Sequence, residues 1–476
     1  MKTVTKQKGK AMRATILVLT LLVSGAALAQ APKLEPVPQP LDLLQAWRSA
    51  QQHDATFAAA RAERRVGAQK QRESRAMLLP HVQATAALGL ASLNNRTSGA
   101  QFSAPAFGTS NDVDFRTDIN RGHEQRWVIS AQQPLYDAER FANSSQLDKQ
   151  AELAEAQYAY ARQDLIMRVA QAYFDLAFAR DTEQLLGTEK AAAQRALDEA
   201  KARFDSGDIP VTDANEAQAR FDAIAAQMLA AHTDSDIKRA AFVDIVGLDP
   251  VALSKPAVDT AADKTPLSAW QQRAANNNPL LTMQALGVDI AQADIDKYRA
   301  LTSPVVALVA QIGDDRLHGD GTYGASEVQS SNWMVGVQVT VPLFTGGMRS
   351  AKHAEAIAQS DKAQADLVAL RQTVARQTQA AWLGVTAGAA RVRALEQARK
   401  SAQLRLSATE LGHANGARST LELLNAQTDA YAAQRALRQA QYALVLNRLR
   451  LAAAAGALDE YSLKTVVGGS RASPAQ

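Results

Sequence analysis

Residues 81–92 alternate along an extended chain, with Val82, Ala84, Ala86, Leu88 and Leu90 on one face. The same period of two returns over 125–135, where Trp127, Ile129 and Ala131 share a face, and strands are also predicted at 304–313 and 332–343. The stretches between the paired strands, 94–124 and 314–331, are rich in polar and turn-forming residues and read as loops. After each pair the pattern changes. Asp137 is a helix-capping residue by type, and the chain then runs to Ser206 with no proline and only Gly187. This Ala-, Gln-, Leu-, Glu- and Arg-rich run predicts one helix approaching about 100 Å, which needs lateral partners in a coiled coil. Gly346-Gly347 opens a second such helix, reaching about His413. Shorter helices are expected over 41–79 (broken near His53-Asp54), 211–246, 267–278, 279–302 and 419–455.

The elements form an internal duplication. Gln133-Pro134-Leu135-Tyr136-Asp137 returns as Val341-Pro342-Leu343-Phe344-Thr345. Ala170-Gln171-Ala172-Tyr173 returns as Gln379-Ala380-Ala381-Trp382, and the turn from Gly207 to Asp213 as that from Gly416 to Glu422. Pro80 is echoed by Pro304. The structural repeats span 41–250 and 266–456, with a connector over 248–278. The spacing between copies shrinks by about 16 residues from the first proline pair to the second, placing extra length in the first polar stretch. Helices 54–79 and 211–246 together match the long helix between them, so two short helices stacked end to end can flank one long helix.

Composition narrows the function. The formal charge of +4 over 476 residues rests on Lys2, Lys6, Lys8, Lys10 and Arg13. These precede an apolar run and Ala27-Leu28-Ala29, predicting a secretory signal peptide over 1–29 and a remainder near −1, or about neutral. That balance gives no electrostatic case for nucleic-acid binding. The chain has no cysteine, so disulfides, thiolate metal sites and a lipidated N-terminal cysteine are excluded. Beyond Ala29 no run approaches the roughly 18 apolar residues of a membrane helix.

Four strands of about ten residues are long enough for a tilted bilayer span but too few to close a barrel. Several chains must pool them if they enter lipid, and Trp127, Tyr136, Trp333 and Phe344 stand where an aromatic girdle would lie. From about Leu41 to Leu463 the chain resembles the TolC family of outer-membrane export ducts. The resemblance is carried by the Pro-Leu-Tyr and Pro-Leu-Phe junctions, by Arg203-Phe204-x-x-Gly207 with Thr212-Asp213, and by Gly416-x-Arg418 with Glu422. It implies a mainly α protein with a membrane β-barrel portion: a homotrimer whose 12-stranded barrel continues into a 12-helix coiled-coil tunnel. Pro80, Pro134, Pro304 and Pro342 would mark the junction between barrel and tunnel. The connector and Tyr461-Ser462-Leu463 would lie in an equatorial belt.

The resemblance also assigns roles at the tunnel's periplasmic tip. Arg418 matches the family's gate arginine, and Thr212 and Asp213 match its partners on the other hairpin. His413 stands where the family's best-known member has a tyrosine. Glu422 matches one position of the acidic entrance ring, while Asn425 replaces a carboxylate at the other. Arg203, Phe204, Gly207 and Gly416 would form the turns that dock an adaptor. The implied function is a passive exit duct of an efflux pump or type I secretion system. Its partners would be a periplasmic adaptor (a membrane fusion protein), an inner-membrane transporter of RND, ABC or MFS type, and outer-membrane lipid. The alternative is a periplasmic coiled-coil structural or adaptor protein.

Other signals carry less. Gly319-Asp320-Gly321-Thr322-Tyr323-Gly324 fits a dinucleotide-binding string, but no helix is expected to open after it, and a surface loop is the better account. The seven histidines are scattered without a metal-binding spacing. Tyr173 and Trp382, at matched repeat positions, are read as helix-packing residues. No catalytic constellation and no cofactor site are expected.

Overall fold

A computed structural model describes residues 40–255, 260, 265–301, 303–322 and 324–468. The expected signal peptide lies outside the described residues, as does most of the connector between 256 and 264. The first repeat comprises α1 (Leu43–His53), α2 (Ala55–Ala76), β1 (His81–Ala104), β2 (Gly108–Tyr136), α3 (Ala138–Asp205) and α4 (Val211–Val246). The second comprises α5 (Leu267–Asn277), α6 (Pro279–Ala300), β3 (Val305–Gly321), β4 (Gly324–Thr340), α7 (Met348–Ala414) and α8 (Thr420–Ala454), and α9 (Glu460–Gly468) follows.

The four strands form one antiparallel sheet in the order β1-β2-β3-β4. Its register gathers the predicted apolar faces into one. Ala84 lies opposite Ile129, Ile129 opposite Ile312, and Ile312 opposite Trp333; the next row runs Val82, Ala131, Ala310, Val335. Val82, Leu88, Ile129, Ile312, Trp333, Val335, Val337 and Val339 are all exposed. The opposite face is mixed and largely polar, with Gln83 opposite Ser130, Ser130 opposite Gln311 and Gln311 opposite Met334.

The strands are longer than expected, and this corrects the loop reading of 94–124 and 314–331. β1 and β2 hold 24 and 29 residues, β3 and β4 17 each. Beyond Asn120, β1 and β2 continue as a two-stranded ribbon turning after Ala104, so the extra length of the first repeat is strand. The string from Gly319 to Gly324 spans the β3–β4 turn, where Thr322 donates to the Asp118 carboxylate. Pro80 and Pro304 precede strands and Pro342 follows one. Pro134 lies inside β2, where it lacks a ladder donor and the β2–β3 register shifts before Tyr136.

The long helices are single elements of 68 residues (α3) and 67 residues (α7). Asp137 caps α3 by accepting from the Arg140 amide at 3.0 Å. Each repeat has a joint where a short helix from the sheet side meets one from the tip. In the first, Asp54 ends α1 and caps α2, accepting from Phe57 N at 2.6 Å, while α4 ends alongside at Val246, whose carbonyl accepts from Ser49. In the second, Asn278 caps α6 and its amide donates to the Ala454 carbonyl at the end of α8, at 2.9 Å.

The largest apolar core lies around the first joint and joins Leu41, Trp47, Phe57, Ile166, Tyr173, Phe174, Phe242, Leu449 and Leu463. Tyr173 and Trp382 act as packing residues that also hold neighbouring backbone segments. The Tyr173 hydroxyl donates toward the carbonyls of Leu41 (2.8 Å) and Ser254 (2.6 Å), and Trp382 Nε1 donates to Thr265 O at 3.1 Å. No described helix is long and apolar enough to cross a membrane.

Candidate functional site at the helical tips

Both long helices stop the same way. Gly207 and Gly416 take φ of 84° and 72°, a left-handed conformation that glycine adopts without a Cβ penalty. Asp208 N bonds Arg203 O and Gly207 N bonds Phe204 O, both at 2.8 Å. Ala417 N bonds Gly412 O (2.8 Å) and Gly416 N bonds His413 O (2.9 Å). These paired bonds are the Schellman closure, which satisfies the last helical carbonyls. The following helices start differently. Pro210 precedes α4 with no side-chain cap, whereas Ser419 and Glu422 form a reciprocal capping box on α8.

That capping box fixes Glu422. Its carboxylate accepts from Ser419 N at 2.9 Å and from Arg418 Nη1 at 2.6 Å, and these bonds, the backbone one foremost, hold the carboxyl below the usual carboxylate range. Both side chains of the Arg418–Glu422 pair are about half exposed, so solvent screens the pair and it adds little to stability. With Asn425, Arg405, Ala408 and Thr409 they line a recess of ≈ 370 Å³.

On the other hairpin, Thr212 and Asp213 are hydrogen-bonded to each other at 3.4 Å. Within one chain, therefore, the structure joins Arg418 to Glu422 and leaves it unjoined to Thr212 and Asp213. Arg203 contributes its carbonyl to the turn, and the Phe204 ring is exposed at the tip.

His413 is the buried member of the set. Its Nδ1 lies 3.1 Å from Arg418 O and its Nε2 lies 3.1 Å from the Glu199 carboxylate on α3. Glu199 was not visible as a site residue in the sequence. It is one of three acids on α3 that reach the second repeat. Glu189, whose carboxyl is pushed up by burial, accepts from Thr428 and faces Arg220 of α4 at 3.7 Å. Asp181 accepts from the Tyr442 hydroxyl and pairs with Lys255, both at 2.8 Å. Between these polar contacts the seam is thin and apolar, with Leu424 of α8 against Ala193, Ala196, Leu197 and Ala200 of α3 and Ala217 and Ile224 of α4. Small residues let the helices approach closely here. Among the described residues no group of three His, Cys, Asp or Glu could hold a metal ion.

The fold that carries these tips is shared with known proteins. The model of the outer membrane efflux protein family matches residues 46–248 and 270–457, one segment for each repeat. The chain is 29% identical to the outer membrane protein TolC of Vibrio cholerae, over 90% of this chain and 93% of that one. It is also 29% identical to the alkaline protease secretion protein AprF of Pseudomonas aeruginosa, covering 90% and 86%. The crystal structure of the Campylobacter jejuni CmeC outer membrane channel superposes with a TM-score of 0.71 at 15% identity, covering 88% of this chain and 86% of that one. With both repeats matched and the duct-like fold in place, the chain belongs to the outer membrane efflux protein family, as an outer-membrane exit duct of an efflux or secretion system.

Proposed function

We propose that three copies of this chain assemble into one conduit, a 12-stranded barrel in the outer membrane continuous with a 12-helix tunnel in the periplasm. The observation that carries this reading is the sheet. Its outer strands, β1 and β4, each have one edge unpaired within the chain, and its apolar face is exposed. Unpaired backbone groups in hydrocarbon cost several kcal/mol each, so four strands enter lipid only as part of a closed cylinder. The conduit carries no energy source of its own. It is recruited by a periplasmic adaptor that docks at the turns around Arg203, Phe204, Gly207 and Gly416, and an inner-membrane transporter of RND, ABC or MFS type drives export.

The entrance lies at the tips. Thr212, Asp213, His413 and Arg418 restrain it, with Arg418 meeting the Thr212–Asp213 pair across a boundary between copies. Glu422 forms a ring of three carboxylates, with Asn425 neutral beside it, a weaker cation site than a ring of six. Two measurements test the reading. Particle mass in detergent is expected to give three chains, and a monomer that washes off membranes in carbonate would refute the conduit. In planar bilayers Arg418→Ser and Asp213→Val are each expected to raise conductance. Unchanged conductance in both removes the gate assignment while leaving the conduit standing.

A further inference from the structure

Leu317 lies on the polar face of the sheet, the face of Gln311, yet it is buried. Ile119 of β2, buried completely, shares its cover: methyls of both side chains crowd the space over Gly122. On the same face, a Cβ at Gly319 would collide with the Gly122 backbone, and one at Gly321 with the Asp118 carbonyl. The β2 backbone therefore climbs over the polar face of β3 as it leaves the sheet. The bend is made where the β2–β3 register shifts between Asn120 and His123 and Arg121 takes a φ of 52°. It is fastened by Thr322, whose amide donates to the Asp118 carboxylate at 3.0 Å and whose hydroxyl donates to it as well. Beyond this root the ribbon alternates in unbroken register from Ile119 to Phe115. Phe115 therefore shares a ribbon face with Ile119, and its ring meets that of Phe102 at 6.1 Å. Both rings are nearly half exposed, an aromatic surface that its own chain leaves uncovered.

We propose that the ribbons of the three copies lean over the outer mouth and meet through Phe102 and Phe115, so that each aromatic pair is covered by another copy of this chain. The inference rests on the conduit reading, in which the exposed apolar face meets lipid and the polar face lines the bore. The dimensions agree. Twelve strands about 4.8 Å apart and tilted by about 40° enclose a cylinder of radius about 12 Å. Phe115 is four residues from the fastened Ile119, about 13 Å of extended chain, which brings its ring to the axis. The conduit then has a constriction at its exit, built from the extra strand length that the first repeat carries and the second lacks.

The chain has no cysteine, so a single introduced thiol reports contact between copies without background. The test is oxidation of the full chain in membranes with copper phenanthroline, since a disulfide forms only where Cα atoms come within about 7 Å. Phe115→Cys is expected to give linked dimers, and Arg116→Cys, on the other ribbon face, to give none. Reducing the linked Phe115→Cys channel in a planar bilayer should raise its conductance. Ile119→Asp added to Phe115→Cys should abolish the link by freeing the root. Thr322→Val, which removes one hydroxyl donor and leaves the sheet intact, should weaken it should the first variant fail to assemble. Particle mass in detergent is read on the same samples. Trimers in which Phe115→Cys does not link, or in which both positions link equally, overturn the constriction while the conduit stands. A link undiminished by freeing the root removes the fastening and with it the inward lean. Chains that form no trimer refute the conduit and the constriction together.

Discussion

At the first repeat's joint, Asp54 receives two hydrogen bonds from the Arg168 guanidinium, at 2.7 and 3.0 Å. At the second repeat's joint the matching positions hold Asn278 and Gln377. Asn278 keeps the capping role but turns its amide onto Ala454 O, and Gln377 lines an open recess of ≈ 600 Å³ with Tyr160, Met167, Leu280, Ala381 and Asn447. One backbone plan is thus closed by a desolvated ion pair and an aromatic core in one copy. In the other it is closed by a neutral amide around a void. Duplication preserved where the helices break, while each joint acquired its own packing.

Removing one member of the first joint is the largest effect we expect. Asp54 is buried, with 5% of its surface exposed, so Arg168→Ala strands a carboxylate and should cost about 3–5 kcal/mol. Gln377→Ala at the equivalent site should cost less than about 1 kcal/mol. Thermal unfolding in detergent separates them, and equal losses would dissolve the contrast. The pH dependence follows from the sign of the shift. Hydrogen bonding to Arg168 lowers the Asp54 pKa below its ordinary value. Its contribution is therefore complete above the unfolded carboxylate range, about pH 4, and is lost as pH falls through the lower folded value. Asp54→Asn should be less stable at neutral pH and lack this part of the acid transition.

The break at Asp54, the Asp137 cap and both tip turns were legible in the sequence because each is a local signal: a capping side chain or a glycine within a few residues of the bond it makes. The apolar face of the sheet was legible for the same reason, since alternation survives wherever the two sides of a sheet differ in polarity. Outside that band the ribbon over 94–119 has no alternation to betray it. The glycines of 94–124 and 314–331 read as loop punctuation. Yet at Gly122 and Gly319 they let Ile119 pack within van der Waals range, and at Gly321 they let the Asp118 backbone approach. The pairing of Asp54 with Arg168, and of His413 with Glu199, joins positions 114 and 214 residues apart. Comparing repeats could not find the second pair either, because His413 is the counterpart of Phe204. One side chain at that shared position is buried against α3 and the other projects into solvent.

The two tips allow a finer comparison. An added Cβ would meet nothing within 4 Å at either Gly207 or Gly416. Alanine at each site therefore incurs only the left-handed backbone penalty, about 1–2 kcal/mol. We expect Gly207→Ala and Gly416→Ala to lower stability by the same amount in thermal melts. A larger loss at one would mean that its turn is packed against something its counterpart lacks. Function should then separate them where stability does not, through the side chains that flank each turn.

Arg418→Ala is the smallest effect on folding. Its guanidinium is engaged with Glu422 one turn away on an exposed helix start, a pair that water and salt both screen. Glu422 would lose that bond but retain Ser419 N, so the capping box stays intact. A shift in melting temperature within error, unchanged between low and high salt, is the expected result. If conductance rises in the same variant, the arginine acts between chains, where its partner is another tip and its loss leaves the fold of each copy untouched. If instead the variant melts early, Arg418 is holding its own hairpin together, and the difference between the two tips becomes one of stability before it is one of gating.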